Sequence, residues 1–63
     1  MKNYSKVRLI TDKYIKEGAK YGDVGYIIEC YPENKYEVEF ADPNTGINYA
    51  MIVASEDEFE IME

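Results

Sequence analysis

Residues 22–40, GDVGYIIECYPENKYEVEF, hold two apolar runs joined at Pro32-Glu33-Asn34-Lys35, and how they are read decides the fold. The second run is the plainer. Tyr36, Val38 and Phe40 alternate with Glu37 and Glu39, the two-residue period of a strand with one face in a core and one in water. The first run, residues 24–31, is mixed. Alternation groups Val24, Tyr26, Ile28 and Cys30, yet Ile27 is apolar as well and Gly25 interrupts the pattern. An interior strand glycine marks a bulge or sharp bend, so the spacing predicts a bend at Gly25 that lets both faces of the strand meet core. Cys30 is placed in that core as an inert thiol. Pro32 suits the first central position of a turn and Asn34 tolerates positive φ, so the two strands form a hairpin.

The same reading extends outward. Residues 6–11 (KVRLIT) predict a first strand with Val7 and Leu9 on one face and Arg8 on the other. Residues 12–22 then form a polar connection, long for so small a chain, with Ile15 expected to pin it to the core. After the turn Asp42-Pro43-Asn44-Thr45-Gly46, residues 47–53 set Ile47, Tyr49, Met51 and Val53 against Asn48, Ala50 and Ile52. Tyr26, Tyr36 and Tyr49 fall at core parity; Tyr4, Tyr14, Tyr21 and Tyr31 lie in loops or at strand ends, where a surface cluster can form. Residues 54–58 read as one tight or helical turn and residues 59–62 as a short fifth strand. Close-spaced short strands with no sustained helical period predict an all-β chain, a small five-stranded SH3-like barrel with a long first loop, in a single domain spanning residues 1–63.

Size and composition narrow the function. A chain of 63 residues buries only about 60% of the surface its unfolded form exposes, which leaves little room for a deep enzyme cleft. There is no histidine, so the commonest general base and transition-metal ligand are both missing, and Ser5 and Ser55 stand in no nucleophile motif. Gly22-Asp23-Val24-Gly25 opens a strand and not a helix, unlike a phosphate-binding glycine loop. Asp42-Pro43-Asn44-Thr45-Gly46 lacks EF-hand spacing and reads as a hairpin turn. No catalysis, cofactor or metal is expected. A single cysteine excludes an internal disulfide framework, and no apolar run approaches a membrane span, so a cytoplasmic protein is expected.

Charge is divided along the chain. Residues 1–20 carry Lys2, Lys6, Arg8, Lys13, Lys16 and Lys20 against two carboxylates, a balance of +4; residues 21–63 carry Lys35 against eleven, a balance of −10. The total of −6 opposes nucleic acid and anionic membrane and favours encounter with a basic partner. The candidate binding residues are Glu29, Tyr31, Glu37 and Glu39 of the hairpin and the acidic run Glu56, Asp57 and Glu58. The first loop and neighbouring turns form a further candidate, an aromatic groove for an extended peptide.

Lys6-Val7-Arg8-Leu9, Gly18, residues 20–29 (KYGDVGYIIE) and Tyr36-Glu37-Val38-Glu39-Phe40 together resemble a family of small bacterial proteins of unknown function, expected to be SH3-like barrels. Members are frequently encoded near polymorphic toxins. The resemblance covers nearly the whole chain and implies an immunity-type protein that binds and neutralises a basic toxin domain through an acidic surface. The chain also resembles the KOW motif of transcription and ribosomal factors. That likeness implies the alternative, a nucleic-acid or ribosome-associated module acting through the N-terminal basic residues, although the basic surface of KOW proteins is lacking here.

Overall fold

The strand Lys35–Ala41 organises the molecule, because its alternation leaves it one register. In the computed structural model, which describes residues 5–62, Tyr36, Val38 and Phe40 are buried and Glu37 and Glu39 half-buried on the opposite face. The other strands are β1 (Lys6–Leu9), β2 (Val24–Tyr31), β4 (Asn48–Ser55) and β5 (Phe59–Ile61), with Lys35–Ala41 as β3. They form one antiparallel sheet in the order β4-β3-β2-β1-β5, curled into a barrel-like all-β globule. Single 3₁₀ turns interrupt two connections, Ile15–Glu17 in the long first loop and Glu56–Glu58 between β4 and β5. No helix among the described residues is long and apolar enough to cross a membrane.

Strand parity differs from the sequence expectation in β2. The bend expected at Gly25 is a register shift between Ile27 and Glu29, with Ile28 as the extra residue. Gly25 and Ile27 are therefore the buried pair, opposite Phe40 and Val38, while Tyr26 points out opposite Glu39. Past Ile28 the alternation resets, so Glu29 faces out beside Glu37, and Cys30, opposite Tyr36, lies beyond the edge of the core. Cys30 is exposed, not a core thiol. Gly25 serves the packing of β3 instead of a bend: a Cβ there would lie 2.7 Å from the Glu39 carbonyl oxygen and 2.8 Å from Phe40 Cδ1. The missing side chain is what lets the Phe40 ring lie against the backbone of β2.

The β4 expectation is also reversed at Tyr49. Ile52 and Ala54 are buried and Ala50 packs against the core, whereas Tyr49, Met51 and Val53 are exposed. Cross-strand volume explains it. Phe40 sits opposite Ala50 and Tyr36 opposite Ala54, so the bulky rings of β3 require small residues across from them. The core is completed by Val7, Leu9 and Phe59, whose ring meets Tyr36 edge-on at 5.7 Å between centroids.

The first loop is tied down, but not by Ile15, which is 58% exposed. Ala19 is fully buried, and the Tyr14 hydroxyl lies 3.2 Å from the Val53 carbonyl and 2.6 Å from Glu58 Oε1, strapping the loop to β4 and the second 3₁₀ turn. In the β2–β3 turn both Glu33 and Asn34 have positive φ, so Pro32 precedes the left-handed pair and does not open it. The β3–β4 turn follows its sequence chemistry: Asp42 Oδ1 accepts the Asn44 amide at 2.7 Å, and Gly46 closes the turn at φ +75°.

Candidate functional site

Register assembles the candidate residues on the outer face of the sheet. Pairing across β2 and β3 sets Tyr26 opposite Glu39, Glu29 opposite Glu37 and Tyr31 opposite Lys35. Pairing across β3 and β4 adds Met51 opposite Glu39, Val53 opposite Glu37 and Ser55 opposite Lys35. Neighbours on one face of an antiparallel sheet stand about 5 Å apart, so these pairs form three rows across three strands. The middle of this surface is carboxylate, the two ends are tyrosine, and the β4 side is apolar at Met51 and Val53 and polar at Ser55. Glu29, Tyr31, Glu37 and Glu39 all belong to it. Tyr26, Met51 and Val53 frame it and were not singled out in the sequence, because the alternation there points to the wrong face.

The carboxylates are poorly compensated within the chain. Glu29 lies directly across from Glu37, a like-charge pair that works against the sheet. Among the described residues none of Glu29, Glu37 and Glu39 enters an ion pair; the three ion pairs are Arg8 with Glu60, Lys13 with Glu58 and Lys20 with Asp23. Lys35, the nearest cation on this face by register, donates its ammonium to Ser55 Oγ at 2.6 Å. Tyr31 donates its hydroxyl to Glu37 Oε1. That hydrogen bond, with smaller effects of desolvation and the Glu37 and Glu29 charges, raises the Tyr31 hydroxyl above the ordinary tyrosine range.

The acidic run divides into two roles. Glu56 and Asp57 are exposed on the 3₁₀ turn, and the Glu56 amide donates to the Asn34 carbonyl, which places the turn at the Tyr31 end of the outer face. Glu58 instead turns inward and holds the fold. Its carboxylate accepts the Ser55 amide at 2.9 Å in a capping box, the Tyr14 hydroxyl, and Lys13 Nζ at 3.1 Å. Partial burial opposes its ionisation, but the Tyr14, Ser55 and Lys13 bonds outweigh that and keep the carboxyl below its usual range. Burial first, then the Glu58 bond and charge, push the Tyr14 hydroxyl well above the ordinary tyrosine range.

Among the described residues, half or more of the basic groups of the N-terminal third are held in ion pairs. Arg8, Lys13 and Lys20 are engaged in the ion pairs above, leaving Lys6 and Lys16 outside them; Lys2 falls outside the described residues, as do Tyr4 and Glu63.

At the Tyr26 end the face opens into a cleft of about 570 Å³ between the end of the first loop and the β3–β4 turn. Tyr26, Tyr49 and Pro43 supply its apolar walls, and Lys6, Asp23 and Asp42 its charges. Asp23 accepts the Lys20 amide at 3.0 Å and the Lys20 ammonium at 3.1 Å. Burial works against its ionisation, but these bonds, helped by the Tyr49 hydroxyl, hold its carboxyl below the usual range. Desolvation and the Asp23 charge raise the Tyr49 hydroxyl in turn. Among the described residues no group of three or more His, Cys, Asp or Glu side chains is arranged to hold a metal ion.

No curated protein and no solved structure matches the chain. One family model does, described as a domain of unknown function (DUF4926), and it spans residues 4–61, nearly the whole sequence. The chain therefore belongs to the DUF4926 family.

Proposed function

We propose that this protein is a non-catalytic binding module that docks a basic protein partner on the outer face of β2, β3 and β4. The observation that carries the reading is the group of Glu29, Glu37 and Glu39, none of them in an ion pair among the described residues, inside a frame of exposed Tyr26, Tyr31, Met51 and Val53. Such a surface joins the two halves of a working interface: apolar and aromatic anchors that set the lifetime of a complex, and charge that sets its rate of formation and its choice of partner. Rigid strands hold the carboxylates, so little entropy is lost when they dock.

The finer form of the proposal is an immunity-type inhibitor in the bacterial cytosol, neutralising a toxin domain whose active site is basic. Carboxylates on the sheet would occupy the groove such a site keeps for phosphate. The order of the strands, with β5 returning beside β1 after a 3₁₀ turn, supports an SH3-like description of the barrel. Nucleic acid is the weaker partner, since three of the N-terminal cations are neutralised by the chain itself and the total charge is −6. The test is growth protection. Co-expression with a toxin domain encoded beside this gene restores growth with the wild-type chain and fails to do so when Glu37 and Glu39 are both changed to lysine. Protection by that folded double variant equal to wild type would overturn the proposed face.

A further inference from the structure

The cleft at the end of the acidic face takes no part in the function proposed above, and its chemistry points to one kind of occupant. Two tyrosines, Tyr26 and Tyr49, 45% and 46% exposed, stand together on its walls. Pro43 and the Gly46 backbone form the far rim, and nothing lies within 4 Å of where a Cβ on Gly22 or Gly46 would stand, so both rims leave room for an entering chain. Asp23 and Asp42 line the space beside Lys6, and since Asp23 is ion-paired with Lys20, Asp42 is the carboxylate left for a guest. Asp42 uses Oδ1 for the Asn44 and Thr45 amides, and no hydrogen bond among the described residues takes its Oδ2. Tyrosine faces beside carboxylates are the chemistry that holds a planar cation: the rings attract it through their quadrupoles while the carboxylate accepts its hydrogen bonds.

We infer that the cleft is an anchor pocket for an arginine side chain on an extended segment of the basic partner. Continuity places it there, because Tyr26 lines the cleft and pairs directly with Glu39 of the acidic face. A guanidinium entering the cleft leaves its own backbone running toward Glu39 and Glu37, where further basic residues are met. The pocket thus deepens the proposal of a basic partner and rests on it. Lys6 opposes the guest by charge, which gives the inference a signature that mere apolar adhesion lacks.

The test is an NMR titration of the isotope-labelled protein with the capped peptide Gly-Ser-Arg-Ser-Gly, and with the same peptide carrying citrulline, the neutral isostere, in place of arginine. The arginine peptide is expected to bind with a dissociation constant of about 1 to 10 mM, moving the amides of Gly22, Tyr26, Gly46 and Tyr49. Citrulline should weaken it by about three- to tenfold, as should Tyr49→Leu. Asp42→Asn keeps the turn acceptor and weakens it about threefold, and Lys6→Gln strengthens it by a similar factor. Equal binding of the two peptides overturns the inference, as does weakening by Lys6→Gln. Shifts confined to the neighbours of Glu29, Glu37 and Glu39 also overturn the pocket, while leaving the acidic face in place. Loss of growth protection by the Glu37 and Glu39 variant, alongside a silent cleft, separates the two claims in the same way.

Discussion

At the scale of single residues, the carboxylates of this chain fall into two populations that sequence alone does not distinguish. Glu58 and Asp23 are fastened by hydrogen bonds and ion pairs, whereas Glu29, Glu37 and Glu39 face one another with little relief. The two should respond oppositely to loss of charge. Glu29→Gln removes a like-charge cross-strand contact and is expected to raise stability by about 0.2–1 kcal/mol in urea denaturation, while slowing association with a basic partner. A residue that costs the fold and serves binding behaves in that way; a purely structural one does not. Glu58→Gln is expected to lower stability by about 1 kcal/mol at neutral pH, since the amide keeps the cap but weakens the bonds from Tyr14 and Lys13. Because the folded Glu58 carboxyl titrates below its unfolded value of about 4.3, that contribution is fully present above the unfolded value and is lost as the pH falls through the folded one. The stability gap between wild type and Glu58→Gln therefore closes as the pH falls below about 4.3 and through the lowered folded value. A gap that stays constant there would mean that the Glu58 charge does not hold the loop.

At the scale of elements, β3 was legible and its neighbours only in part. Tyr36 to Phe40 alternates polar with apolar, so its register follows from the residues alone. In β4 every residue from Tyr49 to Ala54 is apolar, so polarity gives no phase, and size misleads because the larger side chains are the exposed ones. The phase is set across the strands, where Phe40 and Tyr36 leave room only for Ala50 and Ala54. In β2 the signal for an irregularity was present at Gly25, but the irregularity lies at Ile28 and Gly25 makes room for Phe40. These errors of phase hid the exposure of Tyr26, Met51 and Val53, whereas the outward placement of Glu29, Glu37 and Glu39 agrees with their sequence parity. Two substitutions check the corrected phases. Ile52→Ala is expected to cost about 2–4 kcal/mol, while Met51→Ser changes stability by less than about 0.5 kcal/mol. Gly25→Ala is expected to cost about 1–3 kcal/mol or more, because the added methyl meets backbone and a core ring together. Denaturation midpoints in which Met51→Ser is the more damaging change would reverse the assigned phase of β4.

At the scale of the whole molecule, the fold converts a divided charge pattern into a directed one. Three of the six cations of the first 20 residues are paired with the chain's own carboxylates, whereas Glu29, Glu37 and Glu39 on the sheet face enter no ion pair among the described residues and Glu56 and Asp57 stand exposed at its end. A surface of that kind acts at a distance, and its reach at physiological ionic strength is about 8 Å. Association with a basic partner should therefore slow steeply with added salt while dissociation, governed by the tyrosine and β4 contacts, changes little. The acidic face is probed most sharply by surface plasmon resonance against the proposed partner, a basic toxin domain, at two salt concentrations. The chains compared are wild type, the double charge reversal of Glu37 and Glu39, and that of Glu56 and Asp57. Reversal at Glu37 and Glu39 is expected to lower the association rate about tenfold or more at low salt and to erase most of its salt dependence, with a smaller effect from Glu56 and Asp57. Association rates indifferent to salt and to both reversals would rule out docking through the acidic face.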